Sequence, residues 1–168
     1  PARGLIGYTT EFMSLTKGFG IINHTFDHYA PVVPGKVGGR HQGVLVSMEN
    51  GKATTYGMMG VEDRGTLFVE PGTEVYEGMI VGENTRDNDI TVNITKQKQK
   101  TNIRSANKDQ TNVIKKPRIL TLEEALEYLS DDEYLEVTPE SIRLRKQILD
   151  KGERERVAKK KKFAELEN

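Results

Sequence analysis

The chain has 168 residues, 35% of them apolar and 30% charged, with 25 Lys/Arg against 25 Asp/Glu; it can bury a core but must keep a highly charged exterior. It has no cysteine, which excludes a disulfide framework and thiol catalysis and fits a reducing cytoplasm. No apolar run approaches the ~20 residues that cross a membrane, and the opening PARGLIGYTTEFMS lacks the basic and apolar regions of a secretory signal.

The chain starts on Pro1 within a helix-like pattern, which reads as a piece of a larger protein. Leu5, Tyr8, Phe12 and Leu15 recur at helical steps, so residues 3–17 are predicted as an amphipathic helix, with Gly18 as its C-terminal cap. FGIINHTFDHYAPVV is rich in aromatic and β-branched residues and predicts a strand ending near Pro31. One helix and one strand cannot close a core, so this piece is expected to complete a sheet begun upstream. PGKVGGRHQ, residues 34–42, reads as a linker.

From there the signals are β. GVLVSM and KATTYGMM flank Asn50-Gly51, a hairpin signature. TLFV and TEVYEGMIVGE flank a Pro71-Gly72 turn, and DITVNIT follows. Short strands at this spacing predict an antiparallel sheet that closes as a small barrel. Thr121 and Glu124 have capping-box spacing before a short helix through Leu129. YLEVTPESIRLRK predicts two strands about Thr138-Pro139, with Arg143, Arg145 and Lys146 on the outward face. The last residues, 151–168, have helical composition but little to bury, and read as a solvated, fraying helix or as disorder.

The zero net charge conceals blocks of opposite sign. Residues 91–118 hold eight Lys/Arg and one acid; residues 119–142 hold eight acids and no Lys/Arg. Such segments address charged partners. In KQKQKTNIRSANKDQTNVIKKPR, residues 96–118, there are too few apolar residues to bury a face, and the loop at about 96–112 is expected to be disordered in the free chain. Its cations suit phosphates, and its Asn, Gln, Ser and Thr can hydrogen-bond to phosphate and sugar. It contains no aromatic, so recognition would be of backbone and shape rather than by stacking.

Enzyme chemistry finds no foothold. The Gly-Lys pairs at 35–36 and 51–52 lack the Ser/Thr of a phosphate loop, and no G-x-S-x-G elbow occurs. His24, Asp27 and His28 lie in a predicted strand, where the two histidines would be ~13 Å apart, too far for one zinc ion. Asp131, Asp132 and Glu133 read as a solvated surface turn. Neither a catalytic residue, nor a metal site, nor a cofactor site is expected.

With these motifs assembled, PARGLIGYTTEFMSLTKGFGIINHTFDHYAP resembles the second half of the last ferredoxin-like domain of ribosome-dependent translational GTPases such as elongation factor G. GVLVS, RGTLFVEPGTEVYEGMIVGE, TRDNDITVN, TNIRSA and EVTPESIRLRK are similar to the C-terminal domain of one branch, the BipA/TypA GTPases. The resemblance implies a cytoplasmic bacterial GTPase, with GTP and Mg bound by an upstream domain, that acts in ribosome assembly and stress adaptation. It also implies a C-terminal loop that touches the acceptor end of A-site tRNA and nearby ribosomal RNA. By motif that loop falls on residues 96–116. Lys115-Lys116-Pro117 and Asn107-Lys108 replace prolines and acids common in relatives, which makes this loop more basic.

The expected architecture is therefore α+β. Residues 1–33 form the end of a ferredoxin-like domain, 34–150 a small antiparallel barrel-like domain with short helices and a basic loop at about 96–112, and 151–168 a charged tail. Lys96, Lys98, Lys100, Arg104 and Lys108 are the candidates for phosphate contact, helped by Asn102 and Ser105. Arg143, Arg145 and Lys146 form a second tier for which ion pairing with the acidic block is the alternative. The partners are the bacterial ribosome and A-site tRNA, no membrane is involved, and the chain is expected to be monomeric. The competing class is a protein-interaction module that docks on ribosomal proteins through residues 119–142.

Overall fold

The computed structural model describes residues 2–5, 8–32, 40–97 and 114–166. The first part holds a 3-10 turn (Ala2–Leu5) and helix α1 (Tyr8–Leu15). Gly18, at φ +80°, ends the helix as expected, its N–H donating to Met13 O at 2.8 Å. Residues 19–32 carry no strand, contrary to expectation. A strand is held by ladder hydrogen bonds, and among the described residues nothing pairs with this segment. Its apolar side chains stand in the open, Phe19 at 90% and Tyr29 at 94% exposure.

The second part is built on a six-stranded sheet. Strands β1 (Val44–Ser47), β3 (Gly65–Leu67), β5 (Met79–Asn84), β6 (Ile90–Val92), β7 (Glu133–Val137) and β8 (Ile142–Lys146) belong to it. The path runs β6-β1-β5-β8-β7, with β3 also on β5. One edge of β5 carries β1. The other is shared, β8 pairing at Met79 and Ile80 and β3 from Gly82 to Asn84. A separate pair joins β2 (Gly51–Lys52) to β4 (Glu74–Val75).

The α+β class is as expected, but the sheet is an open path and its β1–β6 pair is parallel. The Asn50-Gly51 hairpin does not form either. β1 pairs with β5 and β6, and most of the second predicted strand is helix α2 (Thr55–Met59), followed by a 3-10 turn (Glu62–Arg64). Thr54 starts that helix by accepting the Gly57 N–H. The capping signal outweighed a β-rich composition.

Both faces of the sheet are covered, which is why β1 reads as a continuous apolar run. Val44, Val46 and Ile80 point to one face, where they meet Phe68, Leu144 and the helix α3 (Leu122–Tyr128) through Ala125 and Tyr128. Leu45, Met79 and Val81 point to the other and pack with Met58, Val61, Val75 and Ile94. Each fully buried side chain of this size contributes roughly 1.5–3 kcal/mol. Helix α3 begins with the predicted capping box: Thr121 accepts from Glu124 N, and Glu124 accepts from Thr121 N.

The shared edge of β5 requires a close approach at Gly65, where a Cβ would lie 1.7 Å from Glu83 O. Gly65→Ala is expected to lower stability by about 2–3 kcal/mol through this overlap. Urea unfolding followed by circular dichroism measures it; an unchanged midpoint would mean that β3 does not pack on β5 this way.

Candidate nucleic-acid interface

The basic segment leaves and rejoins the domain at two built roots. At its start, Ile94 is fully buried, and its carbonyl accepts from Thr54 N at 2.8 Å. Glu49 accepts from Asn93 Nδ2 at 2.7 Å and from Thr95 Oγ1 at 2.6 Å. The Thr95 and Asn93 bonds hold the Glu49 carboxyl below its ordinary value. Thr54 Oγ1 donates to Lys96 O, so the backbone of Lys96 is held while its side chain stays exposed. At the return, half-buried Ile114 packs on the core, Lys115 N donates to Glu62, and Arg118 N donates to Leu67 O at 2.8 Å. Arg118 also pairs with Glu124 at 3.4 Å. The first root rests on Thr54 and the second on Glu62, so α2 and its following turn stand between them.

Of the predicted phosphate contacts, Lys96 is placed at the first root, exposed. Lys98, Lys100, Asn102, Arg104, Ser105 and Lys108 lie outside the described residues. Exposed Lys115 and Lys116 flank the second root.

The second-tier residues on β8 divide. Lys146 does not face outward, which corrects the expectation. Its side chain is 3% exposed and its ammonium lies 2.6 Å from Asp89, 2.8 Å from Asp132 and 2.9 Å from Glu133. The two-residue period puts Lys146 on the side of Leu144, not of Arg143 and Arg145. The β7–β8 register sets it directly opposite Glu133. Glu133, 0% exposed, also receives both arms of Arg40, at 2.7 and 3.0 Å. The Arg40 guanidinium lies 4.4 Å from the centre of the Tyr128 ring and donates to Tyr128 O at 3.1 Å. Asp89, besides pairing Lys146, accepts from Val44 N at 2.9 Å.

Glu133 is therefore not in a solvated turn, and Asp132 is half committed to Lys146. Burial pulls the Lys146 ammonium down, but hydrogen bonds to Asp132 and Asp89 and the Glu133 charge raise it above the ordinary lysine value. Burial pushes the Asp132 carboxyl up, yet Lys146 holds it below the ordinary aspartate value. The signal for this cluster was present in part: Glu133 shares parity with Leu135, as Lys146 does with Leu144. Arg40, in a glycine-rich stretch, carried no such signal.

Arg143 and Arg145 occupy the opposite face, half-buried. Arg145 lies 2.7 Å from Glu136 and 5.0 Å from the centre of the Tyr134 ring. Glu136 also accepts from Tyr76 OH at 2.7 Å; burial, then this bond, pushes the Tyr76 phenol well above its usual value. Half of the acidic block is thus engaged within the chain, Glu124, Asp132, Glu133 and Glu136 each pairing with a cation.

Among the described residues no group of three metal-ligating side chains could hold an ion. His28 pairs with its neighbour Asp27 at 2.7 Å on the surface. No helix of the described residues is long and apolar enough to cross a membrane.

Comparison with known proteins places these features. Residues 42–151 match the family described as the TypA/BipA C-terminal domain, and residues 1–38 match the elongation factor G C-terminus. A protein of Bacillus subtilis named large ribosomal subunit assembly factor BipA is 74% identical over 166 residues, 99% of this chain and 27% of that protein. Proteins of the same name from Escherichia coli K12 and Haemophilus influenzae are 49% and 45% identical over 156 residues, 93% of this chain. The chain spans about a quarter of their length, 26% and 25%.

Removing the Lys146 ammonium leaves the buried Glu133 carboxylate ion-paired with Arg40 alone, so Lys146→Met is expected to cost about 3 kcal/mol, seen as a lower urea midpoint. Asp132 has a depressed native pKa, so its contribution is present above the ordinary carboxylate range, ~3.9, and is lost as pH falls through the native value. The stability gap between the parent and Asp132→Asn should accordingly be full at pH 7 and shrink below about pH 4. A gap that is flat with pH would show that Asp132 does not stabilise the fold as an ion.

Proposed function

The chain belongs to the TypA/BipA family, and from that premise we propose that it is the non-catalytic, ribosome-binding C-terminal part of a translational GTPase. In this reading the loop at about 96–112 contacts large-subunit ribosomal RNA and the acceptor end of A-site tRNA. GTP and Mg belong to a domain upstream, and the protein takes part in ribosome assembly and stress adaptation in the cytoplasm.

The observation that carries the proposal is the mounting of the basic segment. Eight Lys/Arg against one acid lie within residues 91–118, and both ends of the segment are hydrogen-bonded to a packed core. The fixed roots bound a segment whose sequence is rich in charge and poor in apolar residues. That arrangement offers cations to a polyanion while limiting the ordering entropy that binding must overcome. The names of the curated relatives, large ribosomal subunit assembly factors, agree with a ribosomal partner.

Docking through the acidic residues 119–142 is the weaker reading. Four of the eight acids there are paired with Arg40, Arg118, Arg145 or Lys146, which leaves a thin acidic display.

Co-sedimentation with bacterial ribosomes carrying A-site tRNA tests the proposal, comparing the parent with a variant in which Lys96, Lys98, Lys100 and Arg104 are replaced by Ala. Loss of four phosphate contacts should reduce the slope of log K against log salt by about 3–4 units, with the circular dichroism spectrum unchanged. Equal binding and equal slope in both proteins would sink the loop as the contacting element. Loss on neutralising Glu123, Glu124 and Glu127 instead would favour the acidic reading.

A further inference from the structure

The last helix, α4 (Lys151–Leu166), has a use that the loop reading does not supply. Its root is built into the domain. Gly78, at φ +84°, lets Leu149 lie against the turn before β5; a Cβ there would come 2.7 Å from Leu149 Cα. Lys151 N donates to Glu77 Oε1 at 3.1 Å, and Asp150 Oδ1 caps the first turn by accepting from Glu153 N at 2.7 Å. The Arg154 guanidinium donates to Ile148 O at 3.0 Å and to Leu149 O.

Among the helix residues whose burial is described, Arg154 and Val157 are half-buried, three residues apart on one side of the helix. Arg156, Lys159, Lys160 and Phe163 follow at i, i+3, i+4 and i+7, which puts them in one stripe on the other side. All four are exposed, Phe163 at 68%, and none of the three cations makes an ion pair among the described residues.

We propose that this stripe is a second RNA-contact element, with Arg156, Lys159 and Lys160 on phosphates and Phe163 as a platform for an unpaired base. The inference rests on the RNA-binding reading of the chain and extends it from a loop without aromatics to a helix that has one. The chemistry is complementary: the loop can neutralise backbone charge, whereas Phe163 can tell an unstacked base from a paired one. A membrane surface fits less well, because a helix lying in the interface needs a broad apolar face, and this stripe presents a single aromatic.

The test uses the full 168-residue chain and two RNAs, a hairpin with an unpaired loop and a fully paired duplex, followed by fluorescence anisotropy across a salt series. The triple variant Arg156→Gln, Lys159→Gln and Lys160→Gln should reduce the salt slope on either RNA by about 2–3 units. Phe163→Ala should weaken hairpin binding roughly tenfold and leave duplex binding unchanged. Gln and Ala are good helix formers, so circular dichroism should show the helix retained. An unchanged slope in the triple variant, or equal effects of Phe163→Ala on both RNAs, overturns the inference. Tighter binding of the parent to phosphatidylserine vesicles or to polyglutamate than to the hairpin would overturn it in favour of a membrane or an acidic protein. If the four-site loop variant loses RNA and the helix variants do not, the RNA reading survives and this inference alone fails. If the parent binds neither RNA, both fail.

Discussion

Lys146 is a lysine with almost no access to water, and the domain is arranged around satisfying it. An ammonium out of water is tolerated only with anions at hydrogen-bond range. Here they come from separated stretches of chain: Asp89 before β6, and Asp132 and Glu133 at the start of β7. Glu133 then needs more positive charge than one lysine provides, and Arg40 supplies it from before β1. Asp89 spends its second oxygen on the first amide of β1. One cluster thereby fastens the entrance to the domain, the end of its last strand and the turn after α3. Such a cluster need not add net stability over an apolar one of the same shape. What it does add is register, because sliding β7 by one residue would turn Glu133 away from Lys146.

That internal pairing sorts the charges of the chain into two populations. Four of the eight acids of residues 119–142 are taken up by Arg40, Arg118, Arg145 and Lys146. Cations without an ion pair among the described residues include Lys96, Lys115 and Lys116 at the loop roots and the outer stripe of α4, together with Arg64 and Arg86, and all of these lie at the surface. A chain whose formal charge is zero thus keeps part of its positive charge at the surface of a packed scaffold. The loop roots rest on a core that packs both faces of the sheet, and α4 starts from a turn fixed by Gly78. A scaffold that is already packed lowers the ordering entropy that any association through these side chains must overcome.

Local chemistry was legible wherever neighbours in sequence were sufficient to satisfy it. The Thr121–Glu124 box closes within one turn, Gly18 ends α1 by its own backbone freedom, and the β7–β8 hairpin about Thr138-Pro139 joins strands adjacent in sequence. The errors came where the partner is distant. Asn50-Gly51 had the composition of a hairpin tip, but β1 found better partners in β5 and β6. Residues 19–32 had the composition of a strand and found none among the described residues. Lys146 was grouped with its basic neighbours rather than with the parity of Leu144, although a strict two-residue period would have put it inside.

By itself the sequence determined the α+β class, the caps and turns, the block pattern of charge and the family resemblance, because each is carried by residues close together or by ordered motifs. Only the tertiary structure decided which charges are available. Arg40 meets Glu133 across 93 residues, and a long-range pair leaves no periodic trace in the chain. Composition counts every lysine alike. Burial separates Lys146, held by three carboxylates, from Lys96, Lys159 and Lys160, which face water and whatever anion replaces it.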